Sequence, residues 1–373
     1  MKKIIGIVSE YNPFHAGHAR HIRESRKMLG EDCLVVACMS GDFVQRGEWA
    51  IRPKRSRAEE ACRGGADVVI ELPLPWCLSS AQRFAEGAVG ILASLGITHL
   101  SFGSETGDLA SLLKAAQTLS APGFEEEVKA ILRTNPAMSY PAARSIASGE
   151  AVLGQPNDLL AVEYLMALRG KPIEPMAVKR AGSGHDAPGD GDFPSASELR
   201  RRIRQGQLQE EHVSDEILSL AALSRLRMLE KQVFCELPDC GTGLGNRIYE
   251  AVRNSVTLQE IFDAAKTRRY THSRVRRCVM CAVLGVRRED NAVLPPYARL
   301  LAANENGRAF LAEKRDECSI PLVTQPKAVS KLGERAERVF ALGASAHDYY
   351  LLGYPYAASQ KCGQDYRTGP FLV

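Results

Sequence analysis

The sequence predicts an α/β fold built on a parallel sheet, followed by a mainly α-helical C-terminal region. Three observations predict it. Short apolar runs rich in β-branched residues alternate with helix-length segments through the first 205 residues, the signature of βαβ units. These runs are apolar almost without interruption, as befits strands covered on both faces. Beyond about Gln205 strand alternation becomes scarce and helical periodicity takes over.

The elements follow in order. Ile4–Ser9 reads as the first strand, then the loop EYNPFHAGH and a helix over Ala19–Leu29 with a basic outer face. Cys33–Ser40 is a second strand, Arg57–Arg63 a short helix, and Ala66–Pro73 a third strand ended by proline. A helix over Gln82–Leu95 leads to a fourth strand at Ile97–Gly103. Asp158–Arg169 reads as a helix and Glu174–Arg180 as a further strand. The Gly, Pro and Asp content of Ala181–Ser197 marks a long mobile loop. A helix begins at Glu198. Helices are then expected at Asp215–Leu229, Arg247–Asn254, Leu258–Thr267 and Ser273–Leu284, with strand character returning only at Ile320–Thr324. The division expected is a catalytic domain over 1–205 and a helical domain over 206–373.

Composition narrows the class. Of 373 residues, 45% are hydrophobic and 25% charged, which argues against disorder. No apolar run approaches the ~18 residues of a membrane helix. The N-terminal run Ile4–Val8 is too short for a signal peptide. A cytoplasmic protein without membrane partners is therefore expected, its ten cysteines reduced. A net charge of +4 leaves the question of polyanion partners to charge placement.

The chemistry is carried first by His15-Ala16-Gly17-His18, directly after a strand and opening a helix. Gly17 lets backbone approach a phosphate. A helix N-terminus offers free N–H groups and partial positive charge. His15 and His18 can donate to phosphate oxygens and stabilise charge that builds during displacement. A second element, Ser195-Ala196-Ser197-Glu198-Leu199-Arg200, opens a later helix and supplies hydroxyls and a guanidinium. Ser195 or Ser197 also suits that helix as its N-cap. A zinc site at the two histidines lacks a nearby third ligand. Cys235-x4-Cys240 and Cys278-x2-Cys281 sit in apolar helical surroundings that suit buried thiols better than zinc. No metal ligands are assigned.

These residues resemble the nucleotidylyltransferase superfamily, with its H-x-G-H and S-x-S/T-x-x-R elements. The closer resemblance is to the bacterial tRNA(Met) cytidine acetate ligase family. It rests on GIVSEYNPFHAGHARH (Gly6–His21), MSGDFVQRGEWAI (Met39–Ile51), KRSRAEEA (Lys54–Ala61) and GADVVIELP (Gly65–Pro73). It continues through FGSE (Phe102–Glu105), PNDLLAVEYLMAL (Pro156–Leu168), VKR (Val178–Arg180), FPSASELR (Phe193–Arg200) and RRYTHSRVRR (Arg268–Arg277). The resemblance implies a Rossmann-like nucleotidylyltransferase domain followed by a helical domain. It implies two steps: ATP and acetate give acetyladenylate and pyrophosphate, and the wobble cytidine of elongator tRNA(Met) then takes the acetyl group as N4-acetylcytidine.

By position, the implied catalytic residues are His15, His18, Ser197 and Arg200. The implied ATP-binding residues are Ile7, Val8, Ser9, Glu10, Tyr11, Asn12, Pro13, Phe14, His15, Ala16, Gly17, His18, Ala19 and Arg20, with Gly103, Asn157 and Arg180. Mg2+ is expected with the nucleotide, and no obligate protein partner is evident. Two departures stand out: Ser9, where a more apolar residue is expected, and Asp42, where relatives often carry asparagine.

Charge placement agrees with an RNA partner. Between Ala264 and Arg288 lie eight Lys/Arg and no acid. Of these Lys266, Arg268, Arg269, Arg274, Arg276 and Arg277 are the expected tRNA-binding set. Arg200–Arg204 and Arg52–Arg57 form two further basic clusters. Tyr270 and His272 offer planes for an unstacked base. Two other readings stay open: adenylation of a small phosphorylated metabolite, and an RNA-binding protein that keeps the fold without the chemistry.

Overall fold

A computed structural model describes residues 2–180 and 194–373. Among them one sheet has eight strands. These are β1 (Ile4–Ser9), β2 (Leu34–Ser40), β3 (Val68–Leu72), β4 (His99–Ser104), β5 (Glu174–Lys179), β6 (Ala298–Ala303), β7 (Leu322–Val323) and β8 (Phe371–Leu372). The order across the sheet is β8-β6-β3-β2-β1-β4-β5, with β7 also paired to β6. The five strands of the N-terminal part, 3-2-1-4-5, run parallel. The order reverses at β1, so the loops after β1 and β4 part there. Such switch points place ligands at the carboxyl ends of the strands.

β1 to β5 and β7 form where the apolar runs predict, and the helices that matter for the site are close to expectation. They are α1 (Ala16–Leu29), α2 (Lys54–Arg63), α3 (Ala81–Ser94), α4 (Pro156–Leu168) and α5 (Ala196–Arg204). Later come α6 (Asp215–Arg227), α7 (Thr242–Asn254), α8 (Leu258–Ala265), α9 (His272–Leu284) and α10 (Glu334–Leu351). The mobile loop expected at Ala181–Ser197 lies largely outside the described residues.

The division expected at residue 205 does not coincide with an edge of the sheet. β6, from the C-terminal part, runs antiparallel to β3, and β7 and β8 pair with β6. One apolar core joins strand residues such as Val36 and Ile70 to Tyr297, Leu300 and Phe340. Another joins Phe43, Trp49 and Leu74 to the helices α6–α9. β6 escaped the sequence reading because ARLLAA lacks β-branched residues.

Buried charges tie the two parts together. Lys54 Nζ lies 2.8 Å from Glu71 Oε1 and 2.5 Å from Asp365 Oδ2. Arg299 Nη1 lies 3.0 Å from Glu71 Oε2 and 2.8 Å from Asp365 Oδ2. Asp42 accepts from the Lys54 backbone N–H at 2.9 Å and contacts His347 Nδ1 at 2.8 Å. Asp42 therefore faces this network and not an anion site. The basic cluster Arg52–Arg57 is likewise corrected: Lys54 and Arg57 are fully buried, and Arg52 and Arg55 pair with Glu60 and Asp365. Burial alone would raise the Asp42 carboxyl, but His347 and Lys54 overcome it and hold the group below the ordinary range. Burial is overcome in the same way at Asp365, chiefly by Lys54 and Arg299.

A folded pKa below the unfolded value contributes stability above the unfolded pKa, near 4, and that stability disappears as pH falls through the folded value. The urea midpoint should hold from pH 7 to 5 and drop progressively below about pH 4. Lys54→Met should cost about 3–5 kcal/mol at pH 7, because it leaves buried carboxylates uncompensated. Equal midpoints for wild type and Lys54→Met at pH 7 would contradict this account.

Candidate functional site

The loop after β1 carries the site. His15 is the N-cap of α1 with extended backbone, and its Nδ1 accepts the Gly17 N–H at 3.0 Å. His18 Nδ1 accepts the His15 N–H at 3.3 Å. The two side chains thus cap the helix reciprocally, a role usually taken by Ser/Thr with Glu/Gln. Their rings stack at 3.8 Å between centroids. Tyr11 meets the His18 ring edge-on at 4.9 Å. A β-carbon at position 17 would come within 2.8 Å of the His15 ring, so glycine is needed there for closeness.

This arrangement fixes the protons. An Nδ1 that accepts a backbone N–H cannot carry hydrogen, so each neutral imidazole is an Nε2–H donor. Burial, then Arg180 and Arg200, lowers His15 to about 4. Burial, then His15, His21 and Arg180, pushes His18 well below its ordinary value. Both rings are neutral at pH 7. The first turn of α1 carries no acid; the Gly17 N–H is taken by His15 Nδ1 and the His18 N–H by the His15 carbonyl, so the helix start offers an anion chiefly the positive end of its dipole.

The loop is held from several sides. Tyr11 adopts a left-handed φ of 45°, a conformation that persists only where surroundings enforce it. Asn12 Oδ1 accepts the Ile51 N–H at 2.8 Å. Glu10 Oε1 accepts the Gln45 N–H at 2.8 Å. Beneath lies Arg57, 0% exposed. It donates to the carbonyls of Arg52 (2.9 Å), Ser40 (3.3 Å), Glu10 and Gly41. Ile7 points into the core with Ile5 and Ile22, so it offers a ligand backbone only.

The second expected element reaches the first. Arg200 Nη1 donates to the Asn12 carbonyl at 2.6 Å and its Nη2 to Ser197 Oγ at 3.2 Å. Ser195, not Ser197, caps α5 through the Glu198 N–H at 3.2 Å. That leaves Ser197 oriented by Arg200. Glu198 pairs with Arg201 and Arg202 at 2.7 and 2.6 Å. Ser197, Arg200, Arg46 and Glu48 line a cleft of about 420 Å³.

Gly103, Asn157 and Arg180 also come together. Arg180 Nη1 lies 3.5 Å from Asn157 Oδ1. A β-carbon at Gly103 would sit 3.3 Å from Arg180 Cγ. Sequence reasoning missed the residues that position this group. Glu105 accepts the Asn157 and Asp158 backbone N–H groups at 3.1 and 2.9 Å. The buried Asp158 accepts in return from Ser104 Oγ and, at 3.0 Å, from the Glu105 N–H. Two acids, one ending a strand and one opening a helix, were the signal available.

The expected RNA residues divide. Lys266, Arg268 and Arg269 are exposed. Arg274 donates to the Asp239 carbonyl at 2.9 Å, Arg276 pairs with Glu48, and Arg277 is 8% exposed. Arg269, Arg274, Arg276 and Arg277 line a second cleft of about 820 Å³, together with Gln45, Arg46 and Glu48. The two clefts meet at Arg46 and Glu48. All ten cysteines are free thiols. Cys278 and Cys281 each point at a carbonyl, of Pro238 and Leu78, at 3.6 Å.

This architecture and sequence have known relatives. The family described as HIGH Nucleotidyl Transferase matches residues 1–365. A tRNA(Met) cytidine acetate ligase of Syntrophotalea carbinolica is 37% identical, over 94% of this chain and 90% of that one. Another, of Acetivibrio thermocellus, is 34% identical over the full length of both. The Thermotoga maritima protein TmcAL, solved with alpha-thio ATP, superposes with a TM-score of 0.91 at 28% identity, over 100% of this chain and 99% of that one. The histidine pair, the serine–arginine element and the parallel sheet thus occur in a chain that belongs to the HIGH nucleotidyl transferases, in the family of the tRNA(Met) cytidine acetate ligases.

Proposed function

We propose that this chain activates acetate with ATP and transfers the acetyl group to the wobble cytidine of elongator tRNA(Met), forming N4-acetylcytidine. The observation that carries the reading is the pair of neutral Nε2–H donors at the acid-free start of α1, at the point where the strand order reverses. Acetate is already ionised at neutral pH, so the first step needs no general base. A carboxylate oxygen attacks the α-phosphorus, the bond to the β-phosphate oxygen breaks, and pyrophosphate leaves with the electron pair. His15, His18 and the positive end of the α1 dipole receive the charge that builds on the phosphates. Arg200, with Ser197, holds the departing phosphates. Gly103, Asn157 and Arg180 receive the nucleoside end, aided by backbone from the Ile7–Arg20 segment.

In the second step the cytidine N4 attacks the acetyl carbon. The bond to the adenylate oxygen breaks, AMP leaves, and N4 loses a proton. Mg2+ arrives with the triphosphate; among the described residues no group of three or more His, Cys, Asp or Glu is placed to hold a metal. Residues 206–373 contribute to RNA binding, with Lys266, Arg268, Arg269 and Arg274 supplying charge, while Arg276 and Arg277 shape the cleft wall.

The reading is tested by pyrophosphate release from ATP, with and without acetate, and by the nucleoside masses of tRNA(Met) after incubation. An acetyl mass on cytidine that requires both acetate and ATP supports it; no acetate dependence and no change in the RNA refutes it. His18→Ala should lower acetate-dependent pyrophosphate release about 10²–10³-fold with far-UV circular dichroism and tRNA binding retained. Because burial, Arg180 and Arg200 hold His15 near 4, protonation removes nothing from the site until the medium is that acidic. The pH profile of kcat/KM for ATP should show no inflection near 6.5. An inflection there that vanishes in His15→Ala would show the imidazole titrating normally.

A further inference from the structure

The 820 Å³ cleft between α4 and α9 has a composition that phosphate capture does not require. One wall is apolar, with Leu153, Leu159 and Leu160. At its mouth stands Tyr140, 38% exposed and oriented by a 2.9 Å bond from its hydroxyl to Glu125. Opposite lie Arg276 and Arg277. Glu163, 2% exposed, lines the same cleft, and its Oε1 pairs with Arg144. Its Oε2 has no hydrogen-bond partner among the described residues, nor have His272 Nδ1, Arg276 Nε and Arg277 Nε. Four of the nine such orphaned buried atoms among the described residues therefore belong to side chains lining one cleft. Buried polar groups without partners carry a free-energy cost and call for an explanation. An acceptor-only carboxylate beside arginine donors, an aromatic face and an apolar wall is a combination suited to an unstacked base.

We propose that this cleft seats an unstacked nucleobase of the substrate RNA that bears an exocyclic amine, with Glu163 Oε2 accepting from that amine and Tyr140 stacking on the ring. The inference rests on the function proposed above. Methionine's AUG codon pairs with a CAU anticodon, so the base on the 3′ side of the wobble cytidine is adenine. Adenine presents an amine to a carboxylate, as cytosine does. The meeting of the two clefts at Arg46 and Glu48 lets adjoining nucleotides occupy the larger cleft and the cleft at Ser197 and Arg200 together. The pocket reads the anticodon and gives no means to tell two tRNAs with the same anticodon apart.

The test uses full-length tRNA(Met) assembled with either adenosine or purine riboside, which lacks the amine, at that position. Wild-type enzyme should acetylate the adenosine form with kcat/KM about 10- to 100-fold higher. Glu163→Gln keeps the shape and should shrink that ratio to within a few-fold of unity. Tyr140→Ala, on the surface, should raise KM for both RNAs about 10-fold while keeping the ratio. Equal rates for the two RNAs with wild-type enzyme, or a full ratio retained in Glu163→Gln, would overturn the pocket while leaving the acetylation reading intact. Absence of acetate-dependent acetylation in the wild type would overturn both, and is recognised by the missing acetyl mass on the unaltered tRNA.

Discussion

Both imidazoles at the start of α1 hold their position through the backbone of the helix they cap. Each Nδ1 accepts a main-chain N–H, and this one constraint sets ring orientation, tautomer and donor direction together. A capping histidine is a weaker helix start than serine or aspartate. The compensation comes from the surroundings: stacked rings, the edge-on Tyr11, and a loop held by Ile51, Gln45 and Arg200. Local rules for a stable helix are relaxed where the two imidazole donors are set side by side.

The position of that loop depends in turn on chain far away in sequence. Asn12 is held by Ile51, in a segment that Tyr350 of α10 also grips through the Ala50 carbonyl at 2.9 Å. Asp42 connects the same region to His347, and Lys54 connects it to Asp365. The C-terminal chain is thus a support of the histidine loop. It completes the sheet beside β3 and anchors the Ala50–Ile51 segment that holds Asn12.

Much of this was legible in the sequence, for physical reasons that also explain the rest. The parallel strands announce themselves because both their faces are buried, which leaves Ile4–Val8 or Val68–Ile70 with few polar positions. H-x-G-H is readable because its spacing, its glycine and its place after a strand coincide. What could not be read depends on contacts across the fold. β6 is alanine-rich and acquires strand geometry from its neighbour β3. Lys54 and Arg57 look like solvated helix charges, and only the sheet above them and the C-terminal segment make them buried. The partnership of Glu105 with Asn157 and Asp158 joins residues more than fifty positions apart. Asp42 reads in sequence only as a departure from asparagine, and its partners His347 and Lys54 give that departure its reason.

Arg57 has a further consequence. Its guanidinium meets main-chain carbonyl oxygens in place of a carboxylate, so its hydrogen bonds are satisfied while no direct ion pair cancels its charge. Nearby Asp42 and Glu10 offset part of that charge, and between it and a ligand seated directly on the loop few mobile ions intervene. Lys266, Arg268 and Arg269, beside the larger cleft, are exposed and are screened readily. The molecule thus carries two kinds of positive charge, one buried beneath the histidine loop and one at the surface. Raising ionic strength weakens the second far more than the first, so salt separates long-range recruitment of a large polyanion from retention of a small one.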